Sequence, residues 1–400
     1  MANKRVFYAA KRVGLGPVGS AGGNGTFQQL HGVQSVGMTT SFNLEQTFEL
    51  GQLAIYENIE GIPDVSIDIE KVLDGYCPVY VLATSISSGV ELSTAPSLLG
   101  RSKSRCDFTL GIYKDDDADG LAGGTVSSTD AESHVQCSGI FVNSVSYNIG
   151  TDGYATESVT LVGQDKVWYG HKSTAATLAM TSAAFSTDDL ITGEDQPLAL
   201  TIPTSGGVNR AEDVLFDYDS KGHYPTSGLG TVLPIEIPGI NSLGQNPKTD
   251  GVYGAHVSSF TANVDLARED IFELGRRGRY FRFVPFPTEV TCDVTITSVS
   301  GDLISHTEEG LVDSAHGNNL SDQVIRLHMR EGLVLDLGKK NKLASVSVTG
   351  GDAGGGNEEI TYSYTNFNDF TVYHPQDPAN DRTGADATTA FIPNDIVWEV

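Results

Sequence analysis

The chain contains 400 residues, enough for two domains that each bury an apolar core. Its 45 Gly residues outnumber its 25 Lys and Arg residues and, with frequent Thr, Ser and Val, favour short strands joined by turns over helices. The formal net charge of −26 argues against a surface that binds nucleic-acid phosphates tightly, but it is compatible with a wall past which DNA slides.

The N-terminal segment has no counterpart elsewhere in the chain and is predicted to form an arm over residues 1–35. It lacks the apolar run of a signal peptide, and no later stretch approaches the roughly 20 apolar residues of a spanning helix, so we expect cytoplasmic synthesis and no membrane partner. Gly14-Leu15-Gly16-Pro17-Val18-Gly19 fits the G-x-G-x-x-G pattern of dinucleotide sites. However, Pro17 and the Gly-rich residues after it leave no helix to hold a pyrophosphate. The segment is therefore predicted to be a flexible, Gly-rich arm without a cofactor.

A repeated motif indicates an internal duplication. Phe48-Glu49-Leu50-Gly51 recurs as Phe272-Glu273-Leu274-Gly275, and the same spacing also aligns Glu45 with Glu269 and Pro63 with Pro287. Shortly after the proline, apolar and polar residues alternate in both copies. The distance along the chain between the two copies is one residue longer there. These residues are Val65, Ile67, Asp68 and Ile69 in the first copy and Val290, Cys292, Asp293 and Val294 in the second. A period of two predicts a strand with one buried and one polar face in each copy.

A second block repeats further along the chain, with fewer residues between its two copies than in the first motif. Ser144-Val145-Ser146 matches Ser345-Val346-Ser347, and beyond a Gly-rich turn Glu157 matches Glu358 and Thr160 matches Thr361. Each copy of this block predicts a β-hairpin.

Because the order of strand, spacer, strand and hairpin is the same in both halves, the sequence predicts two related β domains in tandem. We place the first over residues 36–171 and the second over residues 251–374, with a C-terminal tail over residues 375–400. The connector between them, residues 172–250, is too long for a plain loop. Because residues 198–202 and 233–237 have the pattern of strands, a small extra lobe is predicted there.

Few patterns point to a chemical site. Asp115, Asp117 and Asp119 match the first half of a calcium loop, but Val126 stands where that loop needs a bidentate Glu, so a solvated acidic turn is the simpler interpretation. The four cysteines have neither C-x-x-C nor zinc-site spacing and are predicted to be buried thiols on strands, a disulfide between subunits being the alternative; they are Cys77, Cys106, Cys137 and Cys292. Since H-E-x-x-H and G-x-S-x-G motifs are also missing, we expect neither a metal or cofactor nor an enzyme.

Two stretches resemble the tail tube proteins of tailed bacteriophages. The segment from Phe48 to Asp74 is similar to their opening hairpin, and the segment from Ser144 to Asp165 is similar to their later strands. The resemblance implies tube domains of the β-sandwich or barrel type that form rings, which stack into a hollow cylinder whose inner wall contains strands from every domain. Rings of this family commonly hold six such domains, so a chain with two implies a homotrimer with pseudo-sixfold symmetry.

The implied function is that of a structural virion protein of the phage tail, whose tube conducts DNA into the host cell without binding it specifically. Its partners would be further copies of itself and other tail proteins at the tube ends. Three alternatives stay open: a baseplate ring or tail terminator protein of the same fold, a β-sandwich adhesin, and a β-sandwich carbohydrate-active enzyme.

Charge indicates which residues would line the channel and the interfaces. Asp68, Glu70 and Asp293 lie on the polar faces of the matched strands and are predicted to face the channel, where acidic groups would keep DNA from adhering. The loops after the repeated motif carry opposite charges: Glu57 and Glu60 in the first copy, and Arg276, Arg277 and Arg279 in the second. These loops are either independently solvated or meet across an interface between subunits or rings.

Overall fold

A computed structural model describes residues 11–16, 18, 27–51, 53–85, 97–113, 131–170, 180–181, 208–210, 256–276, 278–297, 325–329, 333–338, 340–350 and 358–374. Within these residues the chain forms strands almost throughout and two short helices, so the mainly β fold predicted from the sequence is confirmed. Neither of these helices is long and apolar enough to cross a membrane.

The elements of the first half of the chain are β1 (Lys11–Gly16), β2 (Phe27–Gln29), β3 (Val33–Ser41), β4 (Leu44–Phe48), β5 (Ile55–Glu60), β6 (Asp64–Val72), α1 (Val79–Ser85), α2 (Leu98–Arg101), β7 (Cys106–Tyr113), β8 (Ala131–Gly150), β9 (Thr156–Gly163), β10 (Val167–Gly170) and β11 (Met180–Thr181). Those of the second half are β12 (His256–Asp265), β13 (Glu269–Ile271), β14 (Phe281–Phe283), β15 (Glu289–Thr297), β16 (Arg326–His328), β17 (Val334–Asp336), β18 (Lys342–Thr349), β19 (Glu359–Phe367) and β20 (Thr371–Tyr373).

Eight antiparallel strands form a continuous sheet in the order β3-β6-β9-β8-β12-β15-β19-β18. We call the first four strands the first unit and the last four the second unit. In each unit, an outer strand leads through a small hairpin into its neighbour, and a later hairpin supplies the other two strands. The small hairpins are β4–β5 (hairpin 1) and β13–β14 (hairpin 2). The two units are thus joined by strand pairing between β8 and β12.

The outer layer of the fold also follows the same plan in both units. In the first unit, the early part of the 20-residue strand β8 leaves the eight-stranded sheet and pairs with β7 and β10. In the second unit, the separate strand β17 pairs in the same way with β16 and β20. Side chains from the sheet, the outer layer and α1 form one apolar core, which includes Ile67, Phe108, Val145 and Phe260.

Strand register provides independent support for the repeat. A β-bulge falls between Val33 and Ser35 of β3, and another falls between Val257 and Ser259 of β12, at the spacing that separates the two Phe-Glu-Leu-Gly motifs. A second pair of bulges, between Val142 and Ser144 of β8 and between Leu343 and Ser345 of β18, has the spacing of the two Ser-Val-Ser blocks. Since each bulge inserts one unpaired residue at a fixed place, matching bulges mark equivalent positions in two units.

The register also corrects one sequence match. Ile67 lies opposite Leu161 in the first unit, and its counterpart Cys292 lies opposite Tyr364 in the second. The spacing between β9 and β19 is therefore two residues larger than that between the Ser-Val-Ser blocks. Glu157 corresponds to Ile360 and not to Glu358, and Thr160 corresponds to Ser363 and not to Thr361. The physical reason is a turn that is two residues longer in the second unit, which an ungapped match does not detect.

The N-terminal segment departs from the flexible arm that was predicted. Gly14, Leu15 and Gly16 lie in β1, which is buried and pairs with β7 along its whole length. β1 also pairs with β2, so this part of the segment extends the outer layer of the first unit. Arg12 to Gly16 are all buried, so β1 is covered on both faces.

Candidate assembly interface

One face of the eight-stranded sheet is covered almost entirely by small polar side chains, and we call it the polar wall. In β6, Val65, Ile67 and Ile69 are buried, whereas Asp68 and Glu70 between and beyond them are exposed. The other strands alternate in the same way and give the wall the following further residues: Thr39, Ser41, Ser144, Ser146, Asn148, Ser158, Thr160, Ser259, Thr261, Asn263, Thr291, Asp293, Thr295, Thr361, Ser363, Thr365, Ser345 and Ser347. The three residues predicted to line a channel therefore share this face.

Hydrogen bonds between neighbouring strands hold the polar wall together. The Thr160 hydroxyl donates to Asp68 at 2.8 Å, and the Ser35 hydroxyl donates to Glu70 at 3.2 Å. Between its two ends, the described part of the wall carries Asp and Glu but neither Lys nor Arg. Lys342, the first residue of β18, lies at one end. The wall is therefore a hydroxyl-rich surface with negative charge.

The junction between the two units is a pairing of β8 with β12. Ser146 lies opposite Asn263, and their side chains are joined by a 2.5 Å hydrogen bond across the polar wall. On the other face, Tyr147 lies opposite Ala262, and both are buried. The junction therefore continues both the apolar core and the polar wall from one unit into the next.

Hairpin 2 reinforces this junction by reaching back to the first unit. Arg279 and Arg282, whose side chains are 7% and 9% exposed, each contact both Asp64 of β6 and Asp270 of the hairpin itself. The nitrogen–oxygen distances for Arg282 are 2.7 Å to Asp64 and 2.8 Å to Asp270. Because both arginine side chains are desolvated, loss of an acidic partner would leave a buried positive charge poorly compensated.

Aromatic and backbone contacts complete the attachment of hairpin 2. Phe281 packs edge-to-face on Phe141 of β8, with 5.2 Å between ring centroids, and the Arg279 backbone N–H donates to the Gln164 side chain at 3.2 Å. Arg268 lies over the same Phe141 ring and donates to the Val142 carbonyl at 2.5 Å. Burial lowers the pKa of the Arg268 guanidinium to about 10.

Hairpin 1 is the counterpart of hairpin 2, but its environment within the chain is different. All of its strand residues are exposed, including the apolar Leu44, Phe48 and Ile55. At its base, Asn43 donates to the Ile62 carbonyl and to Asp64, at 2.8 and 2.9 Å. Of the described strands, β3 pairs only with β6 and β18 pairs only with β19, so the sheet ends in two open edges.

The residues predicted to lie in oppositely charged loops have different surroundings. Arg279 belongs to the contact between the two units of one chain, so it is not available for the loop-to-loop pairing that was considered. Arg276 lies 3.8 Å from Glu273 on the surface, and Glu57 and Glu60 are exposed on hairpin 1. For these three, an interface role stays a prediction. Arg277 lies outside the described residues, as do Asp115, Asp117 and Asp119 and the two strands predicted in the connector.

All four cysteines are buried, as predicted, and three of them lie on strands: Cys106, Cys137 and Cys292. Cys77 lies in the loop before α1. Burial raises the pKa of the Cys137 thiol to about 12 and raises those of Cys106 and Cys292 further. Buried thiols with raised pKa values react slowly because the thiolate is the reactive form.

Sequence reasoning missed the residues that hold hairpin 2 in place. Asp64, Asp270 and Arg282 stood in no repeated motif, and Phe141 lies just before the repeated Ser-Val-Ser block. A signal was nevertheless present. Three arginines, Arg276, Arg279 and Arg282, follow one another at intervals of three residues within a short hairpin, which is unusual in a chain with only 25 Lys and Arg residues.

Comparisons with known proteins add the following findings. No family model and no curated protein matches this chain. Among solved structures, the anti-feeding prophage tube-terminating cap is similar at 10% identity and a TM-score of 0.29, covering 42% of this chain and 94% of that chain. The sheath/tube terminator of an extracellular contractile injection system is similar at 13% identity and a TM-score of 0.29, covering 42% of this chain and 100% of that chain. Matches of this size assign neither a family nor a function.

Proposed function

We propose that this chain is a structural protein that forms closed rings with further copies of itself, and that these rings stack into the tube of a phage-tail-like particle. One observation carries the proposal. The β8–β12 junction already joins two equivalent units edge to edge, and the same two kinds of edge stay open at β18 and β3.

An open strand edge is a template for pairing with another chain. Because β18 is the counterpart of β8 and β3 is the counterpart of β12, the internal junction can be repeated between β18 of one copy and β3 of the next. Such a head-to-tail contact generates either a closed ring or an open filament. The tail tube resemblance favours a ring of six units. Three copies, each giving eight strands, would then give a barrel of 24 strands.

The polar wall fits the inside of such a barrel. Barrels of about 16–18 strands already leave an aqueous channel, so a 24-stranded barrel would be open throughout. The opposite face of the sheet carries the outer layer, which needs the larger circumference and therefore lies outside. A lumen lined by hydroxyl and carboxylate groups would repel DNA weakly and offer it few strong contacts. On this proposal the protein guides DNA and catalyses no reaction.

Stacking of rings would depend on the two hairpins. Both extend from the same end of the sheet, since β3 and β12 each lead into a hairpin there. Their tips carry fully exposed leucines, Leu50 and Leu53 in hairpin 1 and Leu274 in hairpin 2. Exposed apolar tips at one rim of a ring suit burial against the next ring.

The test is to purify the full-length chain and to measure its mass by light scattering while imaging it by negative-stain electron microscopy. We expect trimers, rings and stacked tubes. A monomer at all concentrations up to about 0.1 mM, well above the Kd of typical specific assemblies, would contradict the proposal.

A second candidate function, a ring that terminates a tube, is separated by the same images, because it predicts rings that do not stack. The triple variant Leu50→Ser, Leu53→Ser and Leu274→Ser refines the test. If the tips mediate stacking, this variant should keep its rings and lose its tubes. Leu99→Ser is the matched control, because Leu99 is also exposed but lies on α2, away from the hairpins.

A further inference from the structure

The internal junction of this chain is a template from which the contact between copies can be worked out. We infer that β18 of one copy pairs with β3 of the next in a defined register, and that this seam has an oppositely charged pair where the internal junction has an aromatic contact, and an apolar contact where the internal junction has a polar one. The inference rests on the ring proposed above and adds its interface, with a second copy of this chain as the partner.

The register of the seam follows from the repeat. Ser146 of β8 lies opposite Asn263 of β12. Ser347 of β18 is the counterpart of Ser146, and Thr39 of β3 is the counterpart of Asn263, so Ser347 of one copy would lie opposite Thr39 of the next. On the same basis Val348 lies opposite Met38, and Ser345 lies opposite Ser41. The pairing places polar residues opposite polar residues and apolar residues opposite apolar residues.

Burial at the two open edges agrees with this register. Val36, Met38 and Val346 are only partly buried although they pack against the core, and Val348 is 48% exposed. In the internal junction the corresponding side chains are all buried: Phe260, Ala262, Val145 and Tyr147. A seam at this register would therefore extend the core without interruption and remove apolar surface from water.

The chemistry around hairpin 1 differs from that around hairpin 2. Glu57 takes the place of Phe281, and Lys342 takes the place of Phe141, so the aromatic contact of the internal junction becomes a contact between a carboxylate and an ammonium group. Both residues are exposed in the single chain. Opposite charges at such a place favour the correct partner and penalise an incorrect one.

A second contact also differs between the internal junction and the seam. Ile55 takes the place of Arg279, and Phe367 takes the place of Gln164, so a polar contact becomes an apolar one. Ile55 is 42% exposed and Phe367 is 58% exposed in the single chain. The seam would cover both. Asn58 and Glu289 stand where Arg282 and Asp64 form the ion pair of the internal junction.

Disulfide trapping tests the register directly. Ser347 and Thr39 correspond to Ser146 and Asn263 of the internal junction. The Leu266 N–H donates to the Asn143 carbonyl, so Leu266 and Asn143 form a hydrogen-bonded pair. Because hydrogen-bonded and non-hydrogen-bonded pairs alternate along antiparallel strands, Ser146 and Asn263 form a non-hydrogen-bonded pair. Such pairs have the shorter Cα separation, about 4.5 Å. The double variant Thr39→Cys and Ser347→Cys should therefore give covalent dimers and trimers under mild oxidation, seen on non-reducing gels.

Two matched variants control the trapping experiment. Ser146→Cys with Asn263→Cys reports the same geometry inside one chain and should close without changing the molecular mass. Ser41→Cys with Thr349→Cys is out of register by four residues, about 13 Å along the strand, and should not cross-link. The unchanged chain measures the background cross-linking that its own four buried cysteines contribute.

Each outcome has a definite meaning. Cross-linking of residues 39 and 347, without cross-linking of residues 41 and 349, supports the seam. Rings in the microscope without the 39–347 product, or with equal product from the out-of-register pair, overturn the seam and leave the proposed function standing. Absence of rings from the unchanged chain overturns the proposed function, and the seam falls with it.

Discussion

The two units share one strand plan, but equivalent positions of their sheets carry side chains of different chemistry. In the first unit, Glu157 is buried and accepts hydrogen bonds from the backbone of Val79 and Tyr80, at 2.6 and 3.0 Å, and from the Tyr147 hydroxyl at 2.8 Å. Burial raises the pKa of Glu157, although these bonds and the nearby Lys71 oppose the shift. In the second unit, Ile360 occupies the place of Glu157 and Ile296 the place of Lys71, and both are buried.

This difference shows which parts of the repeat are fixed by the sheet and which are fixed by added elements. The bulges and the face alternation are common to both units because they determine how strands pair. Among the described residues, the polar group around Glu157 occurs where α1 packs on the sheet, because the first backbone N–H groups of that helix need an acceptor. Lys71, completely buried, completes the group through Asp74 and the Val72 carbonyl.

The largest expected effect comes from removing Glu157. Glu157→Ala leaves two backbone N–H groups and the Tyr147 hydroxyl without an acceptor and removes a negative charge near the buried Lys71. We expect a loss of about 3–5 kcal/mol in the free energy of unfolding, measured by urea denaturation. Glu358→Ala is the control, since the register places this exposed residue outside any equivalent group, and it should change stability by less than about 0.5 kcal/mol. Equal losses would show that the register correction is wrong.

A smaller effect is expected from a pair of variants that compares the internal junction with the seam. Asp64→Asn weakens the cluster with Arg279 and Arg282. Because Asp64 is itself 42% exposed, we expect a loss of about 2 kcal/mol and not the full cost of breaking a buried pair. Glu289→Gln changes the equivalent position at the seam. It should leave the stability of the single chain within about 0.5 kcal/mol but reduce the fraction of chains in rings, because the hydrogen bond that the Asn58 amide of the next copy would donate to Glu289 is no longer charge-assisted.

Light scattering and urea denaturation on the same samples distinguish the two variants. A loss of stability in Glu289→Gln with normal ring formation would contradict the equivalence of the two positions. So would an Asp64→Asn variant that assembles poorly while its stability is unchanged.

Much of the sheet could be predicted from the sequence because its signals are local. The alternation of Val65, Ile67 and Ile69 with polar residues predicted a strand and its two faces, and a Gly-rich turn predicted the hairpin of β8 and β9. Both depend on neighbours a few residues away in the chain. Asp68, Glu70 and Asp293 were placed on the polar face by the same reasoning, and their position in a channel stays a prediction.

The junctions could not be predicted because they depend on residues far apart in the chain. Arg282 contacts Asp64 across 218 residues, and Arg279 contacts the backbone of Pro63 across 216 residues. The sequence showed the charges of these side chains but not their partners, and it therefore suggested a contact between loops. The buried strand β1 was missed for a different reason: Gly14 and Gly16 are compatible both with a strand and with a flexible segment, so the sequence pattern did not distinguish the two.

The smallest expected effect concerns the charged pair of the seam. Glu57→Lys should weaken ring formation by placing two lysines together, and Lys342→Glu should do so by placing two glutamates together. An exposed ion pair contributes about 0.2–1 kcal/mol, so each single variant should shift the ring dissociation constant by several fold per seam, and the double variant should recover most of the loss. The measurement is light scattering at about 20 mM and 500 mM salt, because screening should reduce the difference between single and double variants. If the double variant assembles no better than either single variant at low salt, Glu57 and Lys342 do not meet across the seam.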